Sequence, residues 1–297
     1  MPGFFAYGLI SPGETTMRIG NYEIHSIETG RFSLDGGAMF GVVPKPLWEK
    51  GNPPDEKNRI ELAARALLIM GNGHKILVDV GNGSKYDDKL TSIYKFNTTQ
   101  HDILSSLKKH NLTPDDITDV VLTHLHFDHA GGSTSNDNGD VKPTFPKARY
   151  YVQKEHWRAA NNPTERDRAS FFKEDFMPLQ YFGLIEYTDG EGEIFPGMSF
   201  RLVNGHTAAL QCPVITDGST TLFYCADLMP TTSHVKLPWI MAYDLRPLVT
   251  LEEKRKILNQ AVDESWILFF EHDPVTEAAR VMRTDKGFVV DARIKMT

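Results

Sequence analysis

The chain has 297 residues, a net charge of −7, and hydrophobic and charged fractions of 40% and 24%, the profile of a soluble globular protein long enough to bury a sizeable core. No basic surplus points to nucleic acid, no apolar run approaches the roughly 20 residues of a membrane span, and the first residues lack the basic start of a secretion signal. Two cysteines, Cys212 and Cys225, form no disulfide framework and read as small buried hydrophobes, which makes the cytoplasm the expected compartment.

Residues 1–17 read as an irregular arm ahead of one large unit over 18–297. Ile19 to Thr29 predicts a strand. Within Phe32 to Val43, the run Asp35-Gly36-Gly37-Ala38-Met39-Phe40 predicts a loop or tight bend, because paired glycines interrupt regular structure. Pro44 to Asp55 is proline-rich and predicts an exposed loop. Ile60 to Met70 and His74 to Asp79 predict a strand pair around Asn72-Gly73. Ile103, Leu104 and Leu107 give Thr98 to Asn111 helical spacing, and Thr113-Pro114-Asp115-Asp116 reads as a short helix start.

The next stretch organises the chain. Val120, Val121 and Leu122 form a short apolar run, the mark of a strand inside a two-sided sheet. It ends in His124-Leu125-His126-Phe127-Asp128-His129-Ala130-Gly131-Gly132. Imidazoles and a carboxylate crowded at the end of a buried strand lose hydration unless something pairs with them. A divalent metal is the natural partner, since imidazole suits zinc and an added carboxylate suits a hydrolytic site. His124 and His126 are two apart and share one side of an extended backbone. Asp128 and His129 follow where Gly131 and Gly132 let the chain turn, so the cluster can divide between two neighbouring metals.

Downstream, Ser133 to Asp140 predicts a flexible surface loop, Ala148 to Val152 a strand and Lys154 to Ala160 a helix start. Asn161 to Tyr187 is less regular and rich in aromatic residues. It predicts an insertion near 161–187 that caps the site, packs into the core or forms the contact of a homodimer. Met198 to Val203 predicts a strand, Pro213 to Thr216 and Thr221 to Ala226 a hairpin around Asp217-Gly218, and Leu251 to Glu264 an amphipathic helix. Trp266 to Phe270 predicts a buried strand, and Arg280 to Met282 with Gly287 to Val290 a closing hairpin.

The His-x-His-x-Asp-His run over 124–129 resembles the signature of the metallo-β-lactamase superfamily. The similarity continues in Ile76-Leu77-Val78-Asp79-Val80-Gly81, in Asn204-Gly205-His206-Thr207, in Leu222-Phe223-Tyr224-Cys225-Ala226-Asp227 and in Phe269-Phe270-Glu271-His272-Asp273. Several elements in order, from about Met17 to the C-terminus, are more specific than one motif. The resemblance implies an α/β fold, an αβ/βα four-layer sandwich. It implies a first metal held by His124, His126 and His206, a second held by Asp128, His129 and His272, and Asp227 bridging them. It further implies two divalent metal ions, with zinc expected and iron or manganese also compatible with mixed nitrogen and oxygen donors. The implied activity is a hydrolase whose metal-bridging hydroxide attacks a small ester or lactone, with Asp128 helping to orient the nucleophile. The alternatives are a phosphoester or phosphotriester hydrolase using the same site, or a non-hydrolytic iron metalloprotein. The partner is a small-molecule substrate, with no role for nucleic acid or membrane.

Aspartate at 227 separates the chain from the lactamases with a cysteine ligand; Cys225, two residues earlier, is a weaker candidate. The ligand set is similar to that of acyl-homoserine lactonases, methyl-parathion-hydrolase-like enzymes and glyoxalase-II-like thioesterases. Two positions depart from the lactonase pattern. Pro230 stands where a tyrosine is usual, and His206-Thr207-Ala208-Ala209-Leu210-Gln211 lacks the second histidine of that loop. The proton donor is therefore sought elsewhere. His234, on the Pro- and Thr-rich loop after Asp227, is the catalytic candidate, with Tyr243 and Asp244 next. Asp79, Thr123 and Thr207 are candidates for orienting the imidazoles. Met39 and Phe40 are candidate substrate contacts. His25, His74, His101, His110 and His156 match no motif and read as structural or exposed.

Overall fold

The structure, a computed structural model, describes residues 16–97 and 102–296. Residues 1–15 of the expected arm and His101 lie outside the described residues.

Strands β1 (Met17–Ile19) and β2 (Tyr22–Asp35) open the chain as an antiparallel pair. β2 runs past the predicted end to Asp35, whose carboxylate accepts from the Ala38 amide at 2.8 Å. That cap starts helix α1 (Gly36–Phe40), which replaces the loop expected from the paired glycines. Gly36 serves packing: a Cβ there would lie 2.5 Å from the ring of Trp48. Trp48 ends α2 (Lys45–Trp48), a turn inside the expected exposed loop, and stacks on Phe40 at 5.2 Å.

β3 (Arg59–Gly71) and β4 (His74–Val78) pair around Asn72 and Gly73, whose φ values of 50° and 83° fit the predicted tight turn. Helices α3 (Asp88–Tyr94) and α4 (Ile103–Lys109) lead to β5 (Asp119–Val121) and the short helical turn α5 (Phe127–Ala130). The polar stretch expected as a flexible loop is a hairpin of β6 (Thr134–Asp137) and β7 (Asp140–Pro143). Its turn is Asn138-Gly139, at φ 55° and 99°, a dipeptide whose left-handed tolerance favours a hairpin.

β8 (Arg149–Gln153) and α6 (Lys154–Asn161) follow as predicted. The aromatic stretch is more regular than its sequence suggests, with α7 (Lys173–Tyr181) and β9 (Ile185–Thr188). Pro178 sits inside α7 and cannot donate to the Glu174 carbonyl one turn back. The Thr134 hydroxyl donates to that carbonyl instead, at 2.8 Å.

These strands form a seven-stranded sheet in the order β1-β2-β3-β4-β5-β8-β9, with β4, β5, β8 and β9 parallel. A second seven-stranded sheet takes β10 (Glu193–Phe195), β11 (Met198–Val203), β12 (Leu210–Thr216), β13 (Thr221–Tyr224), β14 (Ile267–Phe269), β15 (Ala278–Thr284) and β16 (Gly287–Ile294) in chain order. Helix α8 (Pro247–Asp263) links β13 to β14, which are parallel.

Strand alternation builds the layers. Leu67, Ile69, Ile76, Val78 and Val121 point between the sheets and pack with Leu210, Cys212, Val214, Leu222 and Tyr224. Leu68, Leu77, Val120 and Leu122 point outward and pack with Leu107 of α4, Trp157 of α6 and Phe176 of α7. Ile257, Leu258 and Ala261 of α8 join the inter-sheet core from the other side. The fold is thus an α/β sandwich with two central sheets and helices outside. No helix among the described residues is long and apolar enough to cross a membrane.

Candidate metal centre

The C-terminal ends of the parallel strands point the same way, where open α/β sheets place their ligands. Asp79 follows β4, residues 124–129 follow β5, Asp227 follows β13 and His272 follows β14. His206 joins from the loop after β11.

Two backbone contacts set the 124–129 segment against Asp79. The Val80 amide donates to His129 O at 2.9 Å and the Gly132 amide to Gly81 O at 2.9 Å. Gly131 and Gly132 permit this approach. A Cβ on Gly131 would lie 2.0 Å from Asn82 O, and one on Gly132 2.2 Å from Val80 O. Gly131 has an ordinary helical φ of −57°, so these glycines serve proximity, where the sequence suggested a turn.

The seven residues named by the resemblance are all buried and brought together. His126 Nδ1 lies 3.0 Å from His124 Nε2 and 3.1 Å from His206 Nε2. Asp227 Oδ2 lies 3.1 Å from His206 Nε2 and 3.9 Å from His124 Nε2. The other Asp227 oxygen lies 3.5 Å from His129 Nε2 and 3.4 Å from His272 Nε2. Asp128 closes that side, 3.6 Å from His272 Nε2 and 3.9 Å from His129 Nε2. Two donor groups result: His124, His126, His206 and Asp227, beside Asp128, His129 and His272.

This donor set fits two divalent cations. Imidazole nitrogens on a tetrahedral zinc at about 2.0–2.1 Å stand roughly 3.3 Å apart, close to the separations in the first group. Asp227 Oδ1 is buried with no hydrogen-bond partner, an expensive state for a carboxylate oxygen unless a cation meets it.

For four of the five imidazoles a neighbour holds the outward nitrogen and so sets the tautomer, while His126 Nε2 is buried without a partner. His206 Nδ1 donates to Asp244 Oδ1 at 2.8 Å, and His272 Nδ1 to Ala63 O at 2.8 Å. His124 Nδ1 is 3.1 Å from the Thr123 hydroxyl, which donates to Asp79 Oδ2 at 2.7 Å. His129 Nδ1 faces two carboxylates, Asp79 at 3.1 Å and Glu271 at 3.0 Å. Asp79 and Thr123 thus hold their expected places, and Thr207 Oγ1 is buried without a partner. Glu271 was missed because it reads as an ordinary strand-end residue. Two residues of the site stand in the left-handed region: Asp79 and Ala226 have φ of 55° and 43°, a conformation that costs energy and is held by the surroundings.

Electrostatics follow from burial and charge. Burial and the neighbouring imidazoles hold His124 and His126 well below the usual histidine range. Burial works the same way on His206, but Asp227 and Asp244 override it and raise it to about 10. Burial pushes Glu271 up to about 8 against the pull of His129. Burial likewise raises Asp128.

A cavity of about 320 Å³ opens above this floor, lined by His126, Asp128, His206, Asp227 and His272 below and by Leu34, Ala38, Met39, Tyr94, Phe127, Met241 and Tyr243 on the walls. Residues 166, 167, 169 and 170 of the aromatic-rich stretch form part of the wall. Its Phe176 and Leu179 pack into the core, and Tyr181 and Phe182 are exposed. Met39 reaches the cavity as expected. Phe40 does not; it lies between Trp48 and His234.

His234 is also displaced from its expected role. It is buried under Phe40, with ring centroids 5.1 Å apart. Its Nδ1 accepts from the Thr231 hydroxyl at 2.8 Å and its Nε2 donates to Met39 O at 2.9 Å. With both nitrogens committed and the ring outside the cavity lining, this placement gives it no proton to deliver. Cys225 is buried in the inter-sheet core, outside both donor groups. His156, which matched no motif, ties two site loops together. It accepts from the Leu125 amide at 2.8 Å and donates to Ala208 O at 2.8 Å.

Burial holds both His156 and His234 down to about 4. Between about 6.5 and 4 the unfolded chain binds a proton at each position and the folded chain does not. Stability is therefore fully present above pH 6.5 and falls as pH drops toward 4, by about 3 kcal/mol for each histidine. Urea midpoints of metal-free protein should show this slope, and His234→Asn should make it shallower by one histidine's share. Parallel slopes for the two proteins would refute the assignment.

The comparisons agree with this geometry. The model of the Metallo-beta-lactamase superfamily matches residues 60–272, a range that holds Asp79 and all seven converging residues. The N-acyl homoserine lactonase AiiA of Bacillus thuringiensis subsp. kurstaki is 28% identical over 179 residues, 59% of this chain and 64% of that protein. An N-acyl homoserine lactonase of Bacillus cereus is 26% identical over 179 residues with the same shares. The match spans less than two thirds of the length of these curated relatives. A probable metal-dependent hydrolase from Staphylococcus aureus superposes with a TM-score of 0.85 at 30% identity, over 94% of this chain and 98% of that one. AidC, a dizinc quorum-quenching lactonase, superposes with a TM-score of 0.80 at 22% identity, over 95% and 98% of the two chains, and speaks to the fold alone. With the family model spanning most of its length and the signature residues gathered at one strand end, the chain belongs to the metallo-β-lactamase superfamily.

Proposed function

We propose that the protein is a metal-dependent hydrolase of small neutral esters or lactones. One observation carries this reading: five of the seven caged residues, His126, Asp128, His206, Asp227 and His272, form the floor of a largely apolar-walled cavity of about 320 Å³. His124, His126 and His206 would hold one cation and Asp128, His129 and His272 the other, each sharing Asp227. Two divalent cations, zinc by the donor set, would polarise a carbonyl oxygen and bring the pKa of a water near neutral.

The chain's own residues do the rest. Asp244 fixes the His206 ring, and Asp79 with Glu271 fixes His129. Asp128, on the floor, would orient the attacking water. Leu34, Ala38, Met39 and Met241 offer apolar contact to an acyl group. Tyr243 offers a phenol at the wall. Burial, Tyr94 and the carboxylates of Asp35, Asp128 and Asp227 raise its pKa, so it keeps its proton and can donate a hydrogen bond to a substrate oxygen, the task Pro230 cannot perform. Tyr243→Phe should lower kcat about 100-fold, the usual effect of losing one such donor, with bound-metal content unchanged. A change under threefold would remove Tyr243 from the reaction.

Charge favours a neutral substrate. Arg166 is the one Lys or Arg among the described residues lining the cavity, and its guanidinium donates to Ala242 O. Beyond the two cations themselves, the wall thus offers the charge of a phosphomonoester dianion little further compensation. The deciding experiment sets N-acyl lactones, named for the curated relatives, beside aryl esters and phosphotriesters. Turnover of a lactone or aryl ester is expected. Turnover of phosphorus substrates alone would overturn the proposal.

A further inference from the structure

Helix α8 turns Thr250, Lys254, Ile257, Leu258 and Ala261 inward. A hydrophobic residue would be ordinary at the second of these positions, yet the chain has a lysine there, with no exposed surface. Its Nζ lies 2.6 Å from Trp239 O, 3.0 Å from Lys236 O and 3.2 Å from Leu237 O. An ammonium has three N–H donors and no acceptor, so donors and acceptors match one to one.

Those carbonyls belong to residues 236–246, a segment of turns with no strand or helix to satisfy it. The segment runs directly into the site. The Ala242 amide donates to Ala38 O at 2.8 Å, and Met241 and Tyr243 wall the cavity. Asp244 holds His206, and the amides of Leu245 and Arg246 donate to His206 O at 3.2 Å and Gly205 O at 2.8 Å. Each contact requires the preceding residues to be held, and one side chain reaches them from behind.

We propose that Lys254 is a positioning residue: its ammonium gathers the 236–239 carbonyls and so sets Met241 and Tyr243 against the substrate and Asp244 against His206. Burial draws its pKa down to about 7 while the Asp244 carboxylate opposes the fall. The kinetic half of the test rests on the hydrolase reading above; the exchange half does not.

Lys254→Met keeps the chain length and deletes the donors. Amide hydrogen exchange at residues 239, 242, 244, 245 and 246 should speed up at least about tenfold, with β12 unaffected. KM for the best ester or lactone should rise about tenfold, more than kcat falls, at unchanged metal content, and Lys254→Arg should recover part of the loss. A purely structural lysine would lower the melting temperature without singling out these amides or KM. Unchanged exchange at the five amides overturns the proposal. If Lys254→Met does not fold, the wild type decides. Its five amides should exchange as slowly as the middle of α8, and exchange about 100-fold faster overturns the proposal. If the wild type turns over no ester or lactone, the hydrolase reading fails and the exchange data alone judge Lys254.

Discussion

Replacing Asp227 with asparagine should cut kcat/KM at least about 1000-fold, equivalent to about 4 kcal/mol of transition-state stabilisation. It should also reduce bound metal from two equivalents toward one. The reasoning is geometric. One carboxylate faces four imidazoles, two through each oxygen, at 3.1–3.9 Å. Burial disfavours its charge, but His129 and His206 hold it well below the usual carboxylate range, so it is ionised. Asparagine keeps the shape, removes the charge and turns one acceptor into a donor where a cation would need a lone pair. Elemental analysis beside steady-state kinetics checks both parts. Two retained metals with activity within tenfold would show that the carboxylate is not shared.

Lys85→Met should destabilise the fold by about 3–5 kcal/mol, the range for breaking a buried ion pair from one side. Lys85 Nζ lies 3.0 Å from Asp175 Oδ1, with side chains 2% and 0% exposed. It also donates to Gly131 O and to Thr134 O, the latter at 2.8 Å. Burial pushes Asp175 up to about 6 even with Lys85 opposing. Without the lysine the carboxyl is buried beside uncompensated carbonyls. The double variant Lys85→Met/Asp175→Leu should recover much of the loss, because the desolvation penalty leaves with the pair. Urea unfolding of both variants tests this. A single variant within about 1 kcal/mol of wild type would mean the pair contributes little. The consequence reaches the site, since Gly131 and Thr134 follow the 124–129 segment and Asp175 lies on α7, just after the cavity wall.

The floor of the site was legible in the sequence because its residues fall at strand ends in recognisable local patterns. The spacing of His124, His126, Asp128 and His129 alone points to two neighbouring metals, whereas His206, Asp227 and His272 are reached only through the family resemblance of the segments that carry them. What was not legible depends on direction. His234 is close to Asp227 in sequence, but a tight helical turn over Thr232–Val235 aims it inward beneath Phe40. Spacing from a ligand says nothing about which way a loop turns. Gly36-Gly37 predicts a loop or tight bend, yet a single aspartate cap and the bulk of Trp48 make it a helix. The Asn138-Gly139 turn signal is masked by the polar stretch around it. Lys254 gives no sign of its role, because a lysine on a helix is ordinarily solvated and its three carbonyls lie 15 to 18 residues away.

The two donor groups draw from both sheets. His124, His126, Asp128 and His129 come from the first, and His206, Asp227 and His272 from the second. Cations seated there would rivet one half of the molecule to the other, in the manner of a reversible cross-link. Resistance to unfolding should then climb with the logarithm of free metal above the dissociation constant, about 2.7 kcal/mol at a hundredfold excess for each site. The concentration of free metal would then bear on how long the protein stays folded as well as on its activity.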